Sequence, residues 1–307
     1  MSIKQFEKLA LIGLGLLGSS ISLAARKSNC VRMISGADHN TTTRATALSL
    51  GLVDTVHEHP ADAVEDADLV ILCVPVGCFR SVAKSISSRL KVGAIVSDVG
   101  SVKSSVVMDV MPQLPEGIHF VPAHPIAGTE RSGPESGFAA LFDGKWCILT
   151  PTDATESAAV ASVTAFWQLL GSNVQVMSAA HHDLVLAITS HLPHLIAYNI
   201  VTTADHLERI SNAEVIKYSA GGFRDFTRIA ASDPTMWRDI FLKNKEAVLE
   251  MLGRFTEDLT DLQRAIRYGD GDRMFQIFNK SRKIRQGIIA AGQDADVADF
   301  GRSSHQS

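Results

Sequence analysis

The sequence predicts an α/β first domain followed by an all-helical second one, and three observations lead there. A short apolar run at residues 8–14 (KLALIGL) passes straight into Gly13-Leu14-Gly15-Leu16-Leu17-Gly18, and helical spacing follows over 19–26. Strand-like apolar runs then alternate with helical stretches as far as Met177, the pattern of a mostly parallel sheet with helices on both faces. From Ser178 strand-like runs vanish and helical periodicity takes over. The first part therefore reads as a Rossmann-type dinucleotide-binding domain over 1–177. The second reads as a helical domain over 178–307.

Each element can be justified in turn. A bare GxGxxG is weak evidence, but here a strand precedes it and a helix follows. Gly13 allows the tight turn, Gly15 lets the backbone approach a pyrophosphate, and Gly18 permits close helix–strand packing. Leu14, Leu16 and Leu17 complete the loop, and the free N–H groups of the helix N-terminus suit phosphates. A second strand over 31–37 ends at Asp38, twenty residues beyond Gly18, where a carboxylate can bond ribose hydroxyls. Asp38 thus favours NAD, because a 2′-phosphate would meet like charge. His39, Thr41 to Thr43 and Arg44 follow closely, so NADP stays open should Asp38 turn away. They read equally well as a solvated loop and helix cap.

Residues 68–74 (DLVILCV) form a continuous apolar run, as a strand covered on both faces requires. Pro75 ends it, placing Val74 and Pro75 against the cofactor. A helix over 78–89 and a strand over 94–98 follow. Val99-Gly100-Ser101-Val102-Lys103 then brings Ser101 and Lys103 to the start of a helix at the sheet's carboxyl edge, with Ser101 either a helix cap or a hydroxyl at a site. For Lys103 a surface position is as good a reading as any. Further strands are expected at 120–121, 145–150 and 173–177.

Between them lies Ala123-His124-Pro125-Ile126-Ala127-Gly128-Thr129-Glu130. Proline biases the residue before it toward extended backbone, so His124 sits at a strand end and not in a helix. Ligands bind outside the carboxyl ends of strands in open α/β sheets, and histidine is the side chain suited to proton transfer near neutral pH.

In the second part, 179–207 reads as one helix or two with Pro193 inside, and 234–265 as another. Apolar residues on several faces call for more than one neighbour, in a bundle or a dimer interface. Three groups stand out: His181-His182-Asp183; His191 and His194, three apart on one helix face; and Gly221 to Ala230, where Arg224 and Arg228 follow a double glycine. A guanidinium can grip a carboxylate with two parallel hydrogen bonds, or simply form a surface salt bridge. The histidine pair lacks the further ligands a metal needs, so no metal is expected. A loose tail is expected at 303–307.

Charged residues make up only 20% of the chain and the net charge is -4, with no basic run, which argues against a nucleic-acid partner. The polar start (MSIKQFEK) is not a signal peptide, and no apolar stretch long enough for a membrane span stands out. Cys30, Cys73, Cys78 and Cys147 match no zinc spacing, and a reduced, cytoplasmic setting is expected.

With GLGLLGSS from Gly13, SDVGSVK from Ser97, AHPIAGTE from Ala123, SHLPH from Ser190 and DFTRIAASDPTMW from Asp225, the chain resembles the prephenate/arogenate (cyclohexadienyl) dehydrogenase family of tyrosine biosynthesis. The resemblance covers nearly the whole chain, with the motifs in order. It implies oxidative decarboxylation of prephenate or L-arogenate with hydride transfer to a nicotinamide cofactor. It implies that His124 accepts the proton of the ring C4 hydroxyl, that Ser101 holds His124 and touches the same hydroxyl, and that Arg228 binds a substrate carboxylate. His194 and His191 would line the cleft, Glu130 and Asp183 would organise and gate it, and Trp237 would supply an aromatic wall. A homodimer is implied. Some relatives carry a fused mutase or regulatory domain; here the first strand begins at about residue 8 and a short polar tail follows the last helix, so a monofunctional enzyme is expected, with any inhibition by L-tyrosine acting at the active site.

Two rival readings have distinct requirements. A β-hydroxyacid dehydrogenase would carry a catalytic lysine in the 179–207 helix, and none is found there. A non-catalytic NAD-sensing regulator would lack the base, yet His124 and Ser101 are both present.

Overall fold

The structure is a computed structural model describing residues 6–129, 131–211 and 216–290. Six strands form one parallel sheet: β1 (Phe6–Ile12), β2 (Val31–Ala37), β3 (Thr55–His57), β4 (Leu69–Leu72), β5 (Ile95–Asp98) and β6 (His119–Val121). Their order is β3-β2-β1-β4-β5-β6, the doubly wound order expected of a dinucleotide-binding domain. The crossovers carry α1 (Leu16–Ser28), α2 (Thr41–Ser49), α3 (Pro60–Ala63), α4 (Phe79–Ile86) and α5 (Ser104–Val110). Leu9, Leu11, Leu69, Ile71 and Val96 are sealed from solvent, which accounts for the unbroken apolar runs of the central strands.

The chain then departs from one continuous sheet. Pro122 separates β6 from β7 (Ala123–Pro125), which pairs antiparallel with β8 (Trp146–Leu149); β8 pairs parallel with β9 (Asn173–Val176) after α6 (Ser157–Leu169). His124 therefore belongs to a separate three-stranded sheet, on its outer strand. Proline at 125 is tolerated because that strand is an edge.

The helical part comprises α7 (Ala179–Leu186), α8 (Leu192–Ser211), α9 (Gly221–Thr227), α10 (Pro234–Lys243), α11 (Lys245–Tyr268) and α12 (Gly271–Ala290). Between α7 and α8 the helix widens into a π turn at Ala187–His191. Pro193 follows at once. It lacks an N–H and crowds the preceding turn, a common cause of such widening. The stretch Ala179–Arg209 is long and apolar enough to cross a membrane by length and composition alone, contrary to the expectation from the sequence. Its first half instead buries His182, Asp183 and His191 in polar contacts with α5 and Asn244. The single helix expected over 234–265 is in fact two, broken at Asn244.

Two compact units make up the chain. One holds Met1–His194 with Ala231–Val248, the other Leu195–Ala230 with Leu249–Ser307. The first unit thus takes in α7 and α10 besides the sheet, where the sequence alone suggests a division at 177/178. The expected loose tail lies outside the described residues.

Candidate active site

The glycine loop has the shape a dinucleotide requires. Gly13 sits at φ +100°, and a Cβ there would press within 2.8 Å of the Cys73 carbonyl. A Cβ at Gly18 would fall 2.1 Å from the Gly13 oxygen, so α1 packs on the loop at a distance only glycine allows. At Gly15, by contrast, a Cβ would meet nothing within 4 Å. The loop is tight where it packs and open where a phosphate would lie. The N-terminus of α1 has no side-chain cap and no acid in its first turn, leaving its N–H groups for an anion. Asp38 is fastened at the end of β2, with Oδ2 accepting from Leu14 N at 3.0 Å and Oδ1 from Asn40 N at 2.9 Å. Arg44 bends back onto the Asp38 and His39 carbonyls, Thr41 Oγ1 and Glu58. Val74 is half-buried beside Gly13, and Pro75 is exposed.

At the carboxyl edge of β5 a second constellation forms. Asp98 and Lys103 make an ion pair with no exposure on either side. Asp98 also accepts from Gly100 N at 2.7 Å and Ala123 N at 3.1 Å, while Lys103 Nζ donates to the Ala123 carbonyl at 2.7 Å. Burial raises the carboxyl and lowers the ammonium, and each partner's charge opposes that shift in the other. The backbone beside His124 is thereby gripped at both its N–H and its carbonyl. A surface position for Lys103 is overturned.

Asp183 reaches this edge from α7. Its Oδ1 accepts from Lys103 N at 2.7 Å and its Oδ2 from Ser104 N at 2.8 Å, capping α5 in place of Ser101 or Lys103. Oδ1 also lies 2.8 Å from Nδ1 of His182. Burial alone would raise this carboxyl, but the hydrogen bonds from His182, Ser104 and Lys103 outweigh it and hold it below the usual range. His182 Nε2 is in turn 2.8 Å from Nδ1 of His124. Burial, then the neighbouring His182, Lys103 and His191, pushes His124 well below the ordinary histidine value. Its Nε2 has no protein partner among the described residues and is not sealed off.

The partner of His124 is therefore His182, and no hydrogen bond joins it to Ser101 among the described residues. Ser101 is half-buried, just before Lys103 in the turn. Its backbone bears on His191, where it works against the effect of burial. Nothing in the sequence singles out Asp98 or Asn244; Lys103 is placed only at a helix start with a surface position as good as any, and His182 appears only within the group His181-His182-Asp183. The doublet His181-His182 carried the one available signal, and the fold splits it: His181 is exposed and His182 wholly buried.

His191, on the π turn, is wholly buried. Asn244 Nδ2 donates to its Nδ1 at 3.1 Å and to the Asp183 carbonyl at 2.9 Å, which explains the helix break at 244. Burial, reinforced by His182, pushes His191 down to about 4. His191 Nε2 and Trp237 Nε1 are buried without an acceptor at hydrogen-bond geometry. His194 stacks on Trp237, with centroids 3.6 Å apart and planes 23° from parallel. Arg228 and Arg224 are exposed residues of the second unit. Glu130 lies outside the described residues. Among the described residues no three His, Cys, Asp or Glu side chains gather as a metal site would need.

Comparison with known proteins shows the family. Residues 21–176 match the family model described as the prephenate dehydrogenase nucleotide-binding domain, and 178–280 match the prephenate dehydrogenase dimerization domain. The chain is 44% identical to a cyclohexadienyl dehydrogenase of Zymomonas mobilis, over 95% of this chain and 98% of that one. It is 32% identical to a prephenate dehydrogenase of Bacillus subtilis, over 92% and 76%. A crystal structure of Aquifex aeolicus prephenate dehydrogenase with hydroxyphenyl propionate and NAD+ superposes with a TM-score of 0.87 at 37% identity, covering 92% of this chain and 98% of that one.

Proposed function

The chain belongs to the prephenate dehydrogenase family, and on that premise we propose that it converts prephenate, L-arogenate or both by oxidative decarboxylation in tyrosine biosynthesis. The observation that carries the proposal is His124, an imidazole bound through Nδ1 and open at Nε2, on the outer strand of its sheet in a fold that also carries a loop shaped for a dinucleotide. A nicotinamide held at the glycine loop would supply the acceptor for a hydride from the ring carbon bearing the hydroxyl. His124 Nε2 takes the hydroxyl proton as the C–O bond becomes a carbonyl. Loss of CO2 and aromatisation then make the step irreversible, so the protein's task is to orient the ring and accept one proton. Its depressed basicity keeps His124 neutral, and so able to act as a base, at neutral pH.

Ser101, His191, His194, Trp237 and Asp183 are the residues of this unit proposed to shape the substrate site, with Arg228 and Glu130 proposed from the family resemblance. NAD is the preferred cofactor in this reading. Asp38 is held facing the loop by two backbone N–H groups, and Arg44 is engaged by backbone carbonyls and Glu58 in place of a 2′-phosphate. Exposed apolar residues of α11 and α12, such as Leu259, Ile266, Phe275 and Phe278, support a homodimer formed through the helical part. Tyrosine, which resembles the product, would inhibit by occupying the same site.

The purified protein should reduce NAD with prephenate or L-arogenate. His124→Asn should lower kcat by roughly 10³-fold while leaving NAD affinity unchanged; full activity in that variant refutes the assignment. Asp38→Ser should shift the NAD-to-NADP preference by about tenfold, equal to 1.4 kcal/mol, and an unchanged ratio would show that Asp38 does not read the ribose.

A further inference from the structure

The residue that sets the chemistry of His124 is itself a histidine. We propose that His182 is a positioning residue that fixes the tautomer of His124, holding its proton on Nδ1 so that Nε2 presents a lone pair, and that passes the support of the Asp183 carboxylate on to the charged imidazole. The proposal deepens the reading above and rests on His124 being the base.

The argument begins at the carboxylate. Asp183 accepts two backbone N–H bonds at the start of α5, from Lys103 and Ser104, and such donors bind only the ionised form well. An ionised carboxylate has no proton to give. The 2.8 Å contact to His182 Nδ1 must then be an N–H donating to Asp183 Oδ1. His182 is sealed from solvent. Burial holds it neutral, against the pull of Asp183. A neutral imidazole protonated on Nδ1 carries a lone pair on Nε2. That atom lies 2.8 Å from His124 Nδ1, so His124 must donate there. His124 is neutral too, and its one proton is now placed. Only Nε2 is left with a lone pair, and it is the ring atom without a protein partner among the described residues.

Once His124 takes a second proton, the same line of donors points the right way. The imidazolium donates to His182, and His182 donates to Asp183. Positive charge on His124 is thus met by a carboxylate two hydrogen bonds away without any further proton having to move. The other charged or titratable groups around the pair are Lys103 and Asp98 at the β5–α5 junction, His191 on the π turn and the Cys147 thiol of β8, which burial keeps protonated. Lys103 and Asp98 neutralise each other, and His191 is kept neutral by burial and by Asn244, so none of them competes with His182 for the His124 proton. The rings of His124 and His182 meet edge to face, with centroids 5.1 Å apart, the arrangement an in-plane N–H···N bond between tilted rings requires.

The test is nitrogen NMR of protein labelled with 15N-histidine, which reads each tautomer directly, with His124→Asn and His182→Leu spectra giving the assignments. In the wild-type protein His124 should be protonated on Nδ1 alone; a proton on Nε2 overturns the proposal whatever the activity. His182→Leu, which removes the acceptor, should lower kcat by roughly 10²-fold with KM changing less than about threefold. His182→Gln, whose Oε1 can stand where Nε2 stood, should recover roughly tenfold of that loss. If Gln and Leu at 182 behave alike, the tautomer role fails. The spectrum of the wild-type protein needs no substrate, so it separates this failure from that of the base assignment, which His124→Asn decides.

Discussion

The glycine loop and the histidine cluster lie at the same carboxyl edge of one fold and are built in opposite ways. The loop runs over six consecutive residues and works through backbone, with side chains left out where the chain must close on itself. The cluster draws Asp98, Lys103, His124, His182, Asp183 and Asn244 from positions as much as 146 residues apart and works through buried polar side chains. A backbone device tolerates no added atom where it packs. A side-chain device tolerates no missing partner.

That contrast can be broken at its strongest point first. Lys103→Met leaves the Asp98 carboxylate buried and uncompensated, and should destabilise the protein by about 3–5 kcal/mol in denaturant unfolding. Combining it with Asp98→Asn should restore a large part of that loss. Equal stability of the single variant and the wild type would mean the pair does not hold the edge together.

Acid should separate the two regions next. His191 titrates near 4 in the fold against 6.5 for an unperturbed histidine, and His124 and His182 are lowered as well. Below pH 6.5 the unfolded chain takes up protons that the fold refuses, so stability falls with pH between about 6.5 and 4, by up to about 3 kcal/mol for His191 alone. Carboxylates held low, such as Asp183, contribute only below that window. A flat Tm between pH 6.5 and 4.5 would contradict the buried neutral histidines. The glycine loop has no part in this dependence.

The loop is tested by paired substitutions. Gly18→Ala forces a methyl onto the Gly13 carbonyl and should cost about 2–3 kcal/mol of stability. Gly15→Ala meets open space, so stability should hold while NAD affinity falls by roughly tenfold, or 1.4 kcal/mol. If both variants lose stability alike, the distinction between packed and open glycines is wrong.

The same contrast explains what was legible in the sequence. The loop, the strand alternation and Asp38 could be read because each depends on neighbours in sequence and on apolar periodicity. His124 was legible for a similar reason, since Pro125 fixes its backbone locally. Lys103 was not: nothing near it in sequence announces that Asp98 and the Ala123 carbonyl will enclose it. Nor did the helical pattern over 234–265 show that Asn244 would leave the helix, because its reasons are the Asp183 carbonyl and His191, more than fifty positions away. The missed partner of His124 is the sharpest case. His181 and His182 are equivalent by composition, and only the direction of α7 buries one and exposes the other.

The grip on Ala123 has a consequence beyond chemistry. β7 is the outer strand of its sheet, and an outer strand normally offers a row of N–H and C=O groups to any extended chain that drifts past. Here the outward N–H of Ala123 is taken by Asp98, its outward carbonyl is taken by Lys103, and Pro125 has no N–H to offer. The ion pair that steadies the base therefore also closes the edge on which the base stands, leaving no ladder there for a second strand to extend.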